Sequence, residues 1–505
     1  MFAVIVMTLA LADLAAAQTP GTADREADMF GRDGGGEDVV NESLPAAPTP
    51  TDTPVVEDKT TTDSAQGDNP SRDDEMFGGA SDDTVDTLRP GALSAVAPTA
   101  GLLEGADNFL TIGGQLFLRL NGSFREDEDP ADAVFSGPSL LDAFADVRPN
   151  DRLRAYAQLR FSFDYTVNPG EIGAFGQPLE AFSLQLAQAW TKFDIGKVAY
   201  VTAGRQRIRW GTGRFWNPTD FVNQQVRNSV DFFDQRVGVD LLKVHFPFEA
   251  LGWNLYLIAI FNNLDVLGEV GLAARAEFVV GPAELALSSF VKDNAPLRFG
   301  ADFSTAVWLF DVKAEGVLSR GLGRRLFKGT FDPASFQVPT EVDTDGDWFF
   351  EGVGGIEAQL KYTDQDTVNL GVEYFFNQAG YDDASLYPYL FLNNAYVPLY
   401  TGKHYAAAYV AAPSPFNFND LSLTVSVLTN LSDQSWLGRF DVQYVLLQYL
   451  TINAFGVGHW GNRGEFKLGI DIDPILFPVD DPVLPGGLQL ANEMIDVGVA
   501  LRMAF

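Results

Sequence analysis

Cysteine is absent from the 505-residue sequence, and histidine occurs only at His245, His404 and His459. The first absence excludes thiol catalysis, disulfide frameworks, iron–sulfur clusters and cysteine-ligated zinc. The second leaves little for general acid–base or metal chemistry. Positive charge is scarce as well: 34 Lys and Arg stand against 68 Asp and Glu, a formal charge of -34. Such a chain offers no overall basic surface to a phosphate backbone, so nucleic acid is not an expected partner. No apolar run of about 18 residues follows the first segment, which excludes helical membrane spans. What is present instead is 48 Gly and 40 Phe in a chain of mean hydropathy -0.01.

The chain divides into three parts. Residues 1–17 hold a mostly apolar run, Phe2 to Ala12, and end in Ala15-Ala16-Ala17, a pattern that suits signal-peptidase cleavage before Gln18. No Lys or Arg precedes the run and Asp13 breaks it; a buried helix is the other reading. Residues 18–108 carry 20 acidic and 5 basic residues among Thr, Pro, Gly, Ser and Ala with almost no periodic apolar positions. That composition cannot offset its chain entropy by burial, so a disordered acidic periplasmic segment is expected. Two islands interrupt it, around Met29-Phe30 and Met76-Phe77, each followed by Gly. They read either as a partner-docking motif for a periplasmic protein or as a duplicated linker.

From residue 109 onward the pattern is strict alternation. Arg152, Arg154, Tyr156, Gln158, Arg160, Ser162 and Asp164 alternate with Leu153, Ala155, Ala157, Leu159, Phe161, Phe163 and Tyr165. Period two over so many residues predicts strands with one polar and one apolar face. A soluble sandwich would alternate too, and three further features decide. Tight turns at Pro149-Asn150-Asp151, Gly196-Lys197, Gly281-Pro282 and Phe310-Asp311 alternate with long loops. Aromatic residues such as Phe163, Tyr165, Tyr374, Phe376 and Tyr444 fall at the ends of the apolar faces, where an interfacial girdle lies. The final alternating strand ends in Phe505, which resembles the signal read by the bacterial barrel-assembly machinery. The expectation is an all-β, transmembrane antiparallel β-barrel over 109–505, seated in outer-membrane lipid. Reading 461–466 as the start of a long outer loop rather than a strand leaves about 18 strands, and 16–18 strands enclose a lumen wide enough for water.

Lumen chemistry centres on Arg205, Arg207 and Arg209. If Tyr200, Ile208 and Trp210 face lipid, these arginines form an inward ladder spaced by about 7 Å. The unusual position of Gln206 points to a bulge near Gly204 that would reverse this facing. Arg152, Arg154, Arg160 and Lys192 extend the basic wall, and Asp302, Asp311, Glu315, Glu357, Glu373 and Asp441 are candidates for an acidic wall opposite. Facing walls create a transverse field that orients dipolar solutes and favours charged ones. The same charges could instead pair with one another and plug the lumen.

The Gly204-Arg205-Gln206 strand leading to Trp210-Gly211, the Trp216-Asn217-Pro218-Thr219-Asp220 loop, and Gly461-x-x-Gly464-Glu465-Phe466 resemble Gram-negative outer-membrane barrels of the porin-like and alginate-export-like kind. The resemblance implies a passive channel for anionic solutes or sugars, or an exporter of an acidic polysaccharide, with Arg205 and its neighbours as lumen arginines. The long acidic N-terminal segment departs from that pattern.

Among the loops, Asp343, Asp345 and Asp347 have calcium-like spacing but lack the distal Glu, and read as an exposed acidic turn; no cofactor is expected. Residues 381–400 carry Tyr387, Tyr389, Phe391, Tyr396 and Tyr400, which either fold inward to stack sugars or pack over the barrel mouth. No nucleophile accompanies His404 or His459, so all three histidines read as structural and an enzyme is not expected. The sequence as a whole points to an outer-membrane channel for passive passage of small anionic or polar solutes. Its rival is an assembly barrel that anchors a partner-docking tail.

Overall fold

The computed structural model describes residues 109–168, 179–223, 225–231, 235–262, 266–331, 337–363, 366–472 and 488–505. The leader, the acidic segment and its Met29, Phe30, Met76 and Phe77 lie outside the described residues. One closed antiparallel sheet is formed by β1 (Leu110–Arg125), β2 (Pro138–Asn150), β3 (Leu153–Asp164), β4 (Phe182–Ile195), β5 (Ala199–Gln206) and β6 (Val239–Phe248). It continues through β7 (Trp253–Ile260), β8 (Gly271–Val280), β9 (Ala283–Val291), β10 (Leu297–Val307), β11 (Phe310–Arg320) and β12 (Trp348–Lys361). It is completed by β13 (Thr367–Asn377), β14 (His404–Pro413), β15 (Leu421–Asn430), β16 (Ser435–Leu447), β17 (Leu450–Gly461) and β18 (Glu493–Ala504). A three-residue piece, Val134–Ser136, pairs with β1 alongside β2 and extends β2 across Gly137. The barrel therefore has 18 staves, as the sequence predicts.

Each strand pairs with its neighbour in the chain, and β1 closes on β18 with Leu118 opposite Leu501. Closure removes the sheet edge that a bilayer would leave unsatisfied. The alternation sorts as expected: on β3 Tyr156, Gln158 and Arg160 are buried inside while Leu159 is 49% exposed outside, and on β18 Val499 is 55% exposed beside buried Gly498 and Ala500. Tyr165, Tyr374 and Tyr444 lie exposed at the ends of the outer faces. An even number of strands and an apolar exterior with aromatic residues at its ends describe a porin-like barrel of the bacterial outer membrane.

The tight connections share one end of the barrel with residues 109 and 505. Gly196 and Lys197 both have φ near +60°, the conformation of the two-residue turn that matches strand twist. Two expected turns move: β2 runs on through Asn150 so that the first reversal falls on Asp151-Arg152, and β11 already begins at Phe310, with the reversal on Trp308-Leu309 and Trp308 at φ 61°. The long connections gather at the opposite end. There the loop after β13 contains a short helix, α1 (Tyr387–Leu392), and Leu326–Lys328 pairs with Thr340–Val342 as a small hairpin. The connection after β17 is a loop that carries Ile470–Ile472 paired with Leu488–Leu490, in line with the sequence reading.

Candidate functional site: the lumen constriction

The longest break in the wall on the first half of the barrel lies between β5 and β6. Gly204 has φ +121°, and a Cβ there would sit 2.2 Å from the carbonyl oxygen of Ala189, so only glycine fits. After Gln206 the chain leaves the wall and enters the lumen. It returns where Gln206 pairs with Val239, with Gly238 donating its N–H to the Ala187 carbonyl at 2.9 Å.

Two carboxylates on the far wall hold this inward segment. Glu315 on β11 accepts the N–H groups of Thr212 and Gly213 (both 2.5 Å) and the Thr219 hydroxyl (2.8 Å). Glu373 on β13 accepts three successive N–H groups, from Arg214 (2.7 Å), Phe215 (3.0 Å) and Trp216 (2.9 Å). A carboxylate that receives several backbone donors satisfies a turn of chain that no strand pairs, and such charge-assisted bonds are the strong ones. Trp216 fills the adjacent wall, stacked 5.7 Å from Phe375 and donating Nε1 to the Leu399 carbonyl. Trp210, Ile208 and Phe221 pack against Leu241, Tyr256, Ile258 and Phe290 on the other side. The return limb is tied to the first strands: Arg119 meets Asp231 at 3.0 Å, and Arg160 donates to the Gln235 carbonyl at 2.7 Å. The segment itself is braced by Arg236 on Asp220 at 2.8 Å.

This geometry corrects the arginine ladder. Register places Lys192 opposite Thr202 and Asp194 opposite Tyr200, so Tyr200, Thr202, Gly204 and Gln206 face inward. Arg205 points outward, where it makes a bidentate pair with Asp240 (2.9 and 2.6 Å). Tyr200, Ile208 and Trp210 are buried inside rather than facing lipid. Arg207 and Arg209 are not on a strand at all: Arg207 donates Nε to the Arg236 carbonyl, and Arg209 lies on the inward segment. The physical reason is the Gly196-Lys197 turn, which fixes which residues of β5 oppose β4 whatever their hydrophobicity.

Arg154, Arg160 and Lys192 lie on the inward faces of β3 and β4, whereas Arg152 sits in the turn before β3 with a mostly exposed side chain; each arginine has an acidic partner that the sequence reading did not identify. Arg152 pairs with Asp194, Arg154 with Asp146 and Arg160 with Asp142, at 2.7, 2.9 and 2.6 Å. Lys192 lies over the Tyr200 ring at 5.8 Å. Acidic residues of one strand facing basic residues of the next are visible as Asp142 and Asp146 alternating in β2; the register needed to match them was not.

The six predicted acids separate into two groups. Asp302 is buried against Arg275 (2.6 Å), and Glu315 and Glu373 serve as the segment's anchors. Asp311, Glu357 and Asp441 instead line a cavity of about 450 Å³ between the inward segment and β11–β17. The segment contributes Arg209, Arg214 and Arg227 to it, and the wall adds Lys313 and Arg439. Lys313 pairs with Glu357 at 2.8 Å and Arg439 with Asp441 at 2.6 Å. Arg214 lies 3.9 Å above the ring of Tyr409, which lies across Gly371 beside Glu357. Three of the five basic residues of the cavity therefore come from the segment; Arg214 and Arg227 were missed because their positions follow from the inward path of the chain, whereas Arg439 shares the inward face of β16 with Asp441 and could have been found by alternation.

Elsewhere, Tyr387, Tyr389, Phe391 and Tyr396 pack upon one another and on Phe327 and Phe331, with Phe391 and Tyr396 stacked at 4.0 Å, whereas Tyr400 packs on Phe375 at 5.1 Å and accepts the Asn217 N–H. Asp343, Asp345 and Asp347 are exposed, and no metal-ligand cluster occurs among the described residues. His245 contacts Asn254 at 2.9 Å, His404 the Tyr374 hydroxyl at 2.7 Å, and His459 Asp496 at 2.9 Å.

No family model and no curated protein matches the chain. Among solved structures it is similar to OccAB4 of Acinetobacter baumannii, at 9% identity over 79% of this chain and 98% of that one, with a TM-score of 0.46. It is also similar to a mutant Rhodopseudomonas blastica porin (12% identity, 78% and 100% covered, TM-score 0.37) and to Salmonella typhi OmpF (10%, 78% and 97%, TM-score 0.39). At these values the assignment stands on the chain's own strand pairing, closure and exterior, which are those of a porin-like outer-membrane β-barrel.

Proposed function

We propose that the protein is an outer-membrane channel through which small anionic or polar solutes pass without chemical change. The observation that carries this reading is the cavity inside the lumen, where Arg209, Arg214 and Arg227 of the inward segment face Asp311, Glu357 and Asp441. Charges of opposite sign across a narrow passage orient a dipolar solute and raise the local concentration of anions on the arginine side. Guanidinium groups suit carboxylates because their donors match both oxygens at once. The reading assigns the lumen no catalytic step.

Planar-bilayer recording tests it. Stepwise conductance is expected from the full-length protein and from a chain lacking 18–108, and its absence in both ends the channel reading. Replacing Arg209, Arg214 and Arg227 by Ser removes three charges. Each is worth about 0.6 kcal/mol to an ion ~7 Å away in water, so anion preference should fall by about tenfold or more. Unchanged selectivity would leave a channel whose preference is set elsewhere.

Two further assignments belong to the same reading. Phe505 is the contact for the barrel-assembly machinery, and Met29, Phe30, Met76 and Phe77 dock a periplasmic protein. Deleting both Met-Phe-Gly islands should remove that partner from a pull-down and leave conductance unaltered.

A further inference from the structure

Arg298 sits near the loop end of β10, opposite Phe290 of β9 and Ser319 of β11. It shares the lumen face with Gly300 two residues below, and a Cβ on Gly300 would stand 3.1 Å from Phe221 and 3.2 Å from Thr219. The Arg298 side chain therefore lies on the loop side of the inward segment, ahead of the cavity. Its Nε is shielded from solvent and has no hydrogen-bond partner. Buried donors are almost always paired, so a buried cationic donor that no protein acceptor reaches is available to an anionic one.

A second arginine follows the loop position that Arg298 reaches. A Cβ on Gly323 would lie 3.3 Å from Nη2 of Arg298, which brings the next residue, Arg324, alongside it. Arg324 donates Nη2 to the Ala379 carbonyl at 3.2 Å, while its Nη1 is buried with no partner. The carboxylate of Glu351 on β12 acts on Arg298 through space, yet no ion pair joins them. Two arginines with unused donors thus flank the same stretch of loop, and the Glu351 charge acts on the first of them.

We infer that Arg298 and Arg324 form a binding site for the carboxylate of a small solute in the outer vestibule, one step before the constriction. The inference rests on the channel reading for its biological use but not for its chemistry. A carboxylate supplies two in-plane acceptors, the complement of the unused N–H donors. Glu351 weakens the site, which a channel requires, since a solute held too tightly would not move on.

The test is saturation-transfer difference NMR of acetate with the full-length protein in detergent micelles, at constant ionic strength in chloride. The wild type should give a saturable acetate signal. R298Q/R324Q should weaken the apparent affinity by about threefold or more, and E351Q should tighten it by about threefold, the effect of one charge ~7 Å away in water. Wild-type affinity in R298Q/R324Q overturns the site, and so does an E351Q protein that binds no more tightly. Should the double variant lose the heat-modifiable gel migration of a folded barrel, E351Q decides alone, because a purely structural Arg298 gives no reason for tighter acetate binding. Acetate binding of this pattern without bilayer conductance rejects the channel reading and keeps the site. Conductance without Arg298-dependent binding does the reverse.

Discussion

Gly371 shows how a single missing side chain shapes the cavity. On β13 it lies between Glu357 of β12 and Tyr409 of β14, and a Cβ there would come within 2.2 Å of the Tyr409 ring. The ring lies flat across the glycine and gives Arg214 a surface to stack on at 3.9 Å. A cation–π pair is worth ~0.5–2 kcal/mol, enough to hold a long side chain in one direction. Substituting G371A forces the ring to move, at an overpacking cost of about 1–3 kcal/mol. The expected result is a lower urea midpoint together with altered single-channel conductance, because Arg214 loses its platform. A midpoint shift with unchanged conductance would show that Tyr409 does not position Arg214. The residue scale also explains why Arg205 misled the sequence reading. Its alternation with Tyr200, Ile208 and Trp210 looks like one continuous strand, and only pairing with β4 reveals that the polar and apolar faces exchange roles there.

At the scale of elements, the strands were legible and the inward segment was not. Alternation is a local property, so β3 and β18 could be traced from their residues alone, and the tight turns bounded them. The path of residues 207–238 depends instead on Glu315 and Glu373, which are about a hundred or more residues away in sequence. Both acids were recognised as lumen residues; that their partners would be backbone N–H groups could not be read from composition. The clamp predicts its own failure. In E373A the N–H groups of Arg214, Phe215 and Trp216 lose a shared acceptor, and buried donors left unpaired cost about 1–3 kcal/mol each. Hydrogen exchange at 212–217 should accelerate by tenfold or more on the ~1.4 kcal/mol scale of one such loss, and conductance should rise as the segment leaves the lumen. Slow exchange at these amides in E373A would mean that packing of Trp216 against Phe375 holds the segment unaided.

At the scale of the whole molecule, the charge of -34 belongs to separate regions: about -15 to residues 18–108 and about -18 to the barrel. Part of that negative charge is buried where the loops meet at the outer mouth. Glu465, in the loop after β17, accepts the Tyr405 hydroxyl (2.5 Å), the Leu399 N–H and Asn430 Nδ2 (3.0 Å). The same Asn430 group reaches Asp433 at 2.9 Å, and Asp433 accepts the Tyr387 hydroxyl of α1 at 3.0 Å. Burial first, and the neighbouring Asp433 charge in addition, push the Glu465 carboxyl up from 4.5 to about 7, against the hydrogen bonds from Tyr405 and Leu399. An acid whose pKa rises on folding favours the protonated folded state. The stability it allows is therefore complete below about pH 4.5 and is lost as the pH rises through 7, by up to about 3 kcal/mol when the carboxylate is fully charged. The loop cap should consequently be tighter in acid than in base. Hydrogen exchange corrected for intrinsic rates reads this at Leu399 and Gly402, where protection should fall by up to about 100-fold between pH 5 and pH 8.5. In E465Q, which is neutral at every pH, most of that dependence should disappear. Equal protection at both pH values in the wild type would show that the other contacts of the cap, led by the Phe391–Tyr396 stack and Trp216 on Leu399, absorb the charge without opening.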